Sequence, residues 1–183
     1  MMEEKKVLER LQRQCARAES CTSDVRRKAV KALEGDVEAA DRIVASLVKD
    51  RFVDDARYAA AFAREKSSLQ GWGPVKIRFQ LRGKGISDEV ITEALGEVDT
   101  VKAAAKLDKL AAERYRLLKG DPQCRLKLLK ALLSRGYGYD EVEGAVRRVM
   151  ETNEENRYDD ETMDIGHSGL VPRLVRSFRP GIR

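Results

Sequence analysis

The stretch that decides the fold runs from residue 71 to residue 86 and reads GWGPVKIRFQLRGKGI. Gly73-Pro74 opens it, and proline is favoured in the first turn of a helix, where the missing amide hydrogen is not needed. Lys84-Gly85-Ile86 closes it, because glycine readily takes the left-handed conformation that ends a helix. The stretch therefore predicts a short basic helix between two turns.

The same arrangement occurs twice more along the chain. Ser23-Asp24 and Asp121-Pro122 each place a capping residue at the start of a basic helix, as Gly73-Pro74 does. Arg135-Gly136-Tyr137 repeats the glycine turn, whereas the first copy has Glu34-Gly35-Asp36 at this point. Self-similarity at an interval of about fifty residues is typical of repeat proteins.

Each copy also contains a longer helix before the basic helix and another helix after it, both with an apolar stripe. The first helices carry Val7, Leu8, Leu11 and Cys15; Tyr58, Ala59, Phe62 and Ala63; and Leu107, Leu110, Ala111 and Leu118. The third helices carry Ile43, Val44, Leu47 and Val48; Val90, Ile91, Ala94, Leu95 and Val98; and Val142, Ala145, Val146 and Val149. The pattern predicts nine helices and no strand.

We therefore expect an all-α protein of three tandem three-helix repeats, at residues 1–50, 51–99 and 100–152. A unit of this size has a marginal core by itself, so stacking would bury what each unit leaves exposed. The expected shape is an elongated, curved array. Residues 153–183 are acidic and then basic and include Leu170-Val171-Pro172-Arg173, which resembles a vector-derived cleavage linker, so we expect a disordered or vector-derived tail.

The composition is that of a charged helical protein, with 42% hydrophobic and 37% charged residues. No apolar run approaches the roughly 18 residues of a membrane span, and the first residues lack the apolar core of a signal peptide, so we expect a cytoplasmic protein without membrane contact. Cys15, Cys21 and Cys124 match neither a zinc spacing nor a disulfide framework, which predicts free thiols. The net charge of +5 favours a polyanionic partner.

The middle unit resembles a known family. It contains FVDDARYA at residues 52–59, FAREK at 62–66, GWGP at 71–74 and IRFQLRGKGI at 77–86. This order is similar to the signature of the RecX family: an aspartate pair, an aromatic-alanine helix, a Gly-x-Gly-Pro turn, an Ile-x-x-x-Leu helix and a Lys-Gly-Ile turn. The resemblance covers roughly residues 5–152. The signature residues, for which it implies structural roles, are Asp54, Asp55, Tyr58, Phe62, Gly71, Gly73, Pro74, Ile77, Leu81 and Gly85.

The resemblance also implies a function. A RecX-like protein binds the RecA recombinase, as its filament on single-stranded DNA, and inhibits its ATPase, strand-exchange and coprotease activities. It would thereby modulate recombination, DNA repair and the SOS response. We expect a monomer without cofactor, metal or catalytic residues.

Two basic helices form the candidate partner- or DNA-binding face. Their cations are Lys76, Arg78, Arg82 and Lys84 in the second unit and Arg125, Lys127, Lys130 and Arg135 in the third. The first unit offers Arg26, Arg27, Lys28 and Lys31, diluted by Asp24 and Glu34. A charge run is usually only a solvated face, but recurrence in stacked units would line one surface with positive charge.

Other interpretations remain open at this point. A stand-alone protein that binds single- or double-stranded nucleic acid would use the same basic face, and a helix-turn-helix transcription regulator would show similar short helices. Enzyme chemistry has little support, since the only histidine, His167, lies in the tail. We interpret Asp54 and Asp55 as helix caps rather than metal ligands, and Trp72 as a packing residue between helices or a partner anchor.

Overall fold

The computed structural model describes the backbone of residues 2–164 and the side chains of residues 3–152. Over this range the chain forms nine helices and no strand, which confirms the predicted fold class. The helices are α1 Met2–Cys15, α2 Thr22–Ala32, α3 Val37–Lys49, α4 Asp55–Ser68, α5 Pro74–Arg82, α6 Asp88–Gly96, α7 Thr100–Leu118, α8 Cys124–Leu133 and α9 Tyr139–Asp164.

Of the described residues, 2–149 pack as one compact unit, and a second unit begins at Met150. Within the first unit α2 packs on α3, α4 on α6 and α7 on α8, so each main helix pair lies within one of the predicted repeats. The helices α4 and α7 also pack on each other. The division at residues 50 and 99 stays a prediction.

Two apolar cores show that successive units share residues. The first core contains Leu11, Ile43 and Leu47, and it also takes in Val53, which lies beyond the predicted boundary. The second core contains Ile77, Leu81 and Ile91 together with Cys21, which comes from the loop before α2 and is fully buried. Each of these two cores thus includes a residue from the neighbouring unit, as expected of units that bury few residues by themselves.

The apolar stripes face these interiors with few exceptions. In the third copy Leu107, Leu128, Leu132, Val142 and Val146 are all buried. The exception is Val48, predicted as part of the stripe on α3 but 46% exposed in the structure. It lies in the last turn of α3, next to the fully buried Leu47.

Glycine in the left-handed conformation follows the middle helix of every copy. The φ angles are +100° at Gly35, +76° at Gly85 and +85° at Gly136. The Glu34-Gly35-Asp36 turn is therefore the counterpart of the two Lys/Arg-Gly turns, although its flanking residues differ. Asp36 caps α3, since its side chain accepts the backbone amide of Ala39 at 2.9 Å.

Two of the predicted capping positions are wrong. The helix α2 begins at Thr22, so Ser23 lies inside its first turn, and α8 begins at Cys124, beyond Pro122. Asp121 instead accepts the amide of Gln123 at 2.8 Å and forms a turn that precedes the helix. Only Gly73-Pro74 starts its helix as predicted, with Pro74 in the first turn.

The helix α9 extends through residue 164, whereas residues 153–164 were predicted to belong to a disordered tail. No glycine or proline occurs between residues 145 and 165, so the sequence contains nothing that stops the helix there. The proposed vector-derived part, residues 165–183, lies outside the described residues.

The three cysteines are free and buried, as predicted. Burial raises the pKa of the Cys15 and Cys124 thiols, which favours their unreactive form. None of the helices in the described part of the chain is long and apolar enough to cross a membrane.

Candidate partner-binding face

The middle helices of the second and third copies meet end to end. The backbone amide of Gly73 donates to the carbonyl oxygen of Arg135 at 2.9 Å, and that of Val75 donates to the carbonyl of Gly136 at 3.0 Å. The first amides of α5 and the last carbonyls after α8 have no partners within their own helices. Two amides on one side and two carbonyls on the other satisfy each other across this contact.

This contact, which we call the glycine joint (Gly73, Val75, Arg135 and Gly136), requires residues without a side chain. A Cβ atom on Gly73 would lie 2.2 Å from the carbonyl oxygen of Gly136, and one on Gly136 would lie 2.3 Å from the Cβ of Lys76. Arg135 adds a side-chain bond, from its Nη1 to the carbonyl of Gln70 at 2.9 Å. Two of the glycines noted in the sequence are therefore explained by backbone contact between copies.

A second joint connects the C-terminal turn of α5 to the N-terminus of α2. The Lys84 ammonium binds the Asp24 carboxylate at 2.5 Å, and the Asp55 carboxylate accepts the backbone amide of Thr22 at 2.7 Å. Arg57 donates to Glu19 at 2.6 Å beside them. We call the group Thr22, Asp24, Asp55 and Lys84 the carboxylate joint.

The environment of this joint shifts the pKa of both partners of its ion pair. Burial alone would raise the pKa of Asp24, but hydrogen bonds from Lys84 and Cys21 and the Lys84 charge outweigh it, so that the pKa is lowered. Burial alone would lower the pKa of Lys84, but Asp24 outweighs it and the pKa is raised. Both groups are therefore held charged.

The two joints place α8, α5 and α2 in a continuous series, each helix ending where the next one begins. The predicted basic helices are thus connected at their ends, and a common positive surface stays a prediction. We call α8, α5 and α2 in this arrangement the helix column.

Most cations of α5 are already engaged with neighbouring residues. Arg82 forms two bonds to the Asp88 carboxylate, at 2.7 and 2.9 Å, and Arg78 lies 3.7 Å from the same carboxylate. Lys84 belongs to the carboxylate joint. Lys76 lies over the ring of Trp72, 4.5 Å from its centroid, and this contact leaves its charge uncompensated.

The cations of α8 divide in a similar way. Arg125 pairs with Glu143 at 3.4 Å and Lys127 with Asp121 at 2.5 Å, while Arg135 turns into the glycine joint. Lys130 is exposed and has no ion pair among residues 3–152. In α2, Arg26 pairs with Asp41 and Arg27 with Asp24.

The sequence missed these acids because they lie outside the basic helices. Asp88 is in the first turn of α6, where it also favours the helix dipole, and Glu143 is in α9. The positive face is consequently weaker than the count of lysines and arginines predicts. Exposed ion pairs contribute only about 0.2–1 kcal/mol each, so a partner's phosphates or carboxylates can displace the resident acids.

The aspartate pair of the signature serves two different helices. Asp54 caps its own helix α4 by accepting the amide of Arg57 at 3.0 Å, whereas Asp55 reaches the N-terminus of α2. A single sequence did not reveal the second role, because residues 22 and 55 are distant along the chain. Ile77 and Leu81 are buried core residues, and Gly71 has a φ of +62°.

An aromatic row accompanies the column along α4. Tyr58 stacks on Phe62 with ring centroids 5.9 Å apart, and Phe62 meets the edge of Trp72 at 6.2 Å. Trp72 is half-buried and lines a mainly apolar cavity of about 240 Å³ together with Ile77, Leu107 and Tyr137. The predicted packing role of Trp72 agrees with this placement, and Trp72 forms part of the wall between the second and third copies.

Comparison with known proteins agrees with this architecture. The family model for the second three-helix domain of RecX matches residues 54–95. The regulatory protein RecX of Streptococcus uberis is 31% identical over 119 residues, which is 64% of this chain and 46% of that protein. RecX of Clostridium botulinum is 32% identical over 126 residues, which is 63% of this chain and 55% of that protein. The chain spans about half the length of the curated relatives it matches.

Solved structures show the same fold. A crystal structure of regulatory protein RecX superimposes with a TM-score of 0.70 at 25% identity, over 80% of this chain and 72% of that one. RecX from Lactobacillus salivarius gives a TM-score of 0.68 at 20% identity, over 80% of this chain and 96% of that one.

The helix column and its two joints define a class of protein, the helical proteins built from units that are joined end to end. The chain is similar to proteins of the RecX family.

Proposed function

We propose that the protein binds RecA, as the filament that RecA forms on single-stranded DNA, and lowers its ATPase, strand-exchange and coprotease activities. It acts as a cytoplasmic monomer and thereby modulates recombination, DNA repair and the SOS response. Binding, and not chemistry, is the activity. The proposal extends the similarity to RecX proteins to a specific partner and outcome.

The observation that carries the proposal is the helix column. Three helices joined end to end offer a binding surface longer than any one of them, which suits a partner that repeats along an axis. Several modest contacts on one rigid body gain strength together, because after the first contact the others form at a high effective concentration. A protein bound in this way across neighbouring RecA subunits would obstruct the path of DNA or of a cleavable repressor.

The same face supports the rival function, direct binding of nucleic acid. Arg78, Arg82 and Lys130 have side chains that reach solvent, and Asp88, which pairs with both arginines, is exposed as well. Such pairs exchange readily with phosphates, and the binding would weaken steeply as salt increases. The two functions differ in whether tight binding requires RecA.

The deciding measurement is the ATPase rate of RecA on single-stranded DNA while this protein is titrated in, with a parallel binding titration on the same DNA without RecA. We expect inhibition at protein concentrations well below those that coat bare DNA. Inhibition that appears only when the DNA is saturated, or no inhibition, would contradict the proposal and favour the nucleic-acid function.

The role of the basic face is tested by replacing Arg78, Arg82 and Lys130 with alanine, which leaves both joints intact. A matched variant removes three exposed cations of α7, Lys109, Arg114 and Arg116. We expect the first variant to inhibit at least tenfold less effectively and the second to inhibit as the wild type does. Equal inhibition by the two variants would show that the charges of the column are not involved.

A further inference from the structure

The outward side of α5 is apolar at its centre. Val75 is 61% exposed and Phe79 is 72% exposed, one helical turn apart, opposite the buried Ile77 and Leu81. Leaving an aromatic side chain in water forgoes the favourable free energy that its burial would contribute. Val75 and Phe79 belong to neither of the two apolar cores described above.

The helix α8 repeats this feature. Leu126 is 63% exposed and Leu133 is 38% exposed, on the side opposite the buried Leu128 and Leu132. Because the glycine joint sets α8 and α5 end to end, these two apolar patches succeed one another along the helix column. We call Leu126, Leu133, Val75 and Phe79 the apolar ridge.

The charges around the ridge all have one sign on these helices. No acidic residue occurs between residues 74 and 85 or between residues 122 and 136. By helical position, Arg82 flanks Phe79 on α5, and Lys130 follows Leu126 by one turn on α8. A partner that covered the ridge would therefore meet apolar groups at its centre. At its edge it would meet Lys130 and Arg82, and a partner carboxylate could replace the exposed Asp88 that pairs with Arg82. This is the composition of a protein-binding hot spot with its polar rim.

We propose that the apolar ridge anchors a protein partner whose surface has apolar pockets bordered by carboxylates. This inference rests on the proposed function, with the RecA filament as the partner, and makes it more specific: the protein subunits, and not the DNA, occupy the ridge. Phosphate recognition needs cations but does not need Val75, Leu126 or Leu133, because aliphatic side chains neither pair with phosphates nor stack on bases.

The test uses the double variant Phe79→Ala/Leu126→Ala in the full-length protein. Both side chains are largely exposed, so the fold is retained, and unchanged circular dichroism and thermal unfolding verify this. The matched control is Val101→Ala/Leu117→Ala, which removes two equally exposed apolar side chains from α7, at 77% and 76% exposure. Binding is measured on immobilised single-stranded DNA, once bare and once coated with RecA and a non-hydrolysable ATP analogue.

We expect the ridge variant to bind the coated DNA at least tenfold more weakly than the wild type, with unchanged binding to bare DNA, and the control to bind as the wild type does. If the ridge variant bound the coated DNA with wild-type affinity, the apolar ridge would not be the binding site for RecA. The proposed function itself would remain in place. An equal loss of affinity for bare DNA would identify Phe79 as a base-stacking residue. It would contradict the proposal that a protein partner occupies the ridge. Wild-type protein that binds only bare DNA would overturn both proposals.

Discussion

The two joints of the helix column connect similar elements by different chemistry. The glycine joint consists of backbone hydrogen bonds between Gly73, Val75, Arg135 and Gly136, at a distance that excludes side chains. The carboxylate joint consists of side-chain contacts, in which Asp55 holds the amide of Thr22 and Asp24 holds Lys84. The first joint depends on shape and the second on charge, so changes in residue size and in pH should affect them separately.

The difference arises from the helix ends that meet. At the glycine joint the carbonyls that follow α8 face the amides of α5 directly, and two helix termini satisfy each other. At the carboxylate joint Asp55 supplies the acceptor that α2 needs, and the Gly85 turn is open, since a Cβ added there would meet nothing within 4 Å. The same glycine turn is therefore in close contact with another helix at Gly136 and is open to its surroundings at Gly85.

The largest expected effect comes from Gly136→Ala. The new Cβ would collide with Lys76 and its backbone, and alanine is strained at a φ of +85°. We expect the free energy of unfolding to fall by about 3 kcal/mol, the sum of left-handed strain and overpacking. Urea unfolding followed by circular dichroism measures this.

The control for Gly136→Ala is Gly85→Ala, which has the same left-handed strain at a φ of +76° but an open surrounding. Its expected cost is about 1 kcal/mol. If the two variants were equally destabilised, the close contact at the glycine joint would contribute nothing to the free energy of unfolding.

A smaller effect is expected from Asp55→Ala, which removes the acceptor for the Thr22 amide. The cost should resemble the loss of a helix N-cap, about 1 kcal/mol, and amide hydrogen exchange should accelerate in the first turn of α2. Asp54→Ala is the matched variant, because Asp54 caps α4 within its own copy. Faster exchange in α2 with Asp54→Ala, or in α4 alone with Asp55→Ala, would contradict the assignment of the two carboxylates.

The ion pair of the carboxylate joint predicts a pH dependence. The pKa of Asp24 is lowered by folding, so its stabilisation is present above the ordinary value of 3.8 and is lost as the pH falls through the lowered pKa. The pKa of Lys84 is raised, so its stabilisation is present below the ordinary value of 10.5 and is lost as the pH rises through the raised pKa.

We therefore expect Asp24→Asn to cost about 1 kcal/mol or less at neutral pH, and the difference from the wild type to vanish under acidic conditions. Asp41→Asn, which breaks the pair with Arg26, should cost less than Asp24→Asn at neutral pH, because both side chains of that pair are more exposed. A constant difference between Asp24→Asn and the wild type from pH 2 to pH 7 would show that the Asp24 charge is not responsible.

The smallest effect expected is a change in thiol labelling. Cys21 is fully buried beside the carboxylate joint, so a thiol reagent reaches it only when this region opens. We expect Asp55→Ala to accelerate labelling of Cys21, located by peptide mass spectrometry, and to leave Cys124 unchanged. Acceleration at both cysteines would indicate global unfolding instead of opening at one joint.

The sequence by itself determined the secondary structure and most of the core. Apolar residues spaced three and four apart, with glycine turns between them, predict helices because both features act within a few residues. Leu11, Leu47, Ile77, Leu81 and Ile91 are buried accordingly. The motifs of residues 52–86 also sufficed to indicate the family, since several separated elements occur there in the same order.

Only the tertiary structure decided how the copies meet and how much positive charge remains available. Asp55 contacts Thr22, Lys84 contacts Asp24 and Gly73 contacts Arg135, and all three pairs are more than thirty residues apart in sequence. Arg82 looks free within its own helix but is neutralised by Asp88 from the next one. Local patterns cannot specify such pairs, because hydrogen bonds and ion pairs depend on distances that exist only after the helices have packed.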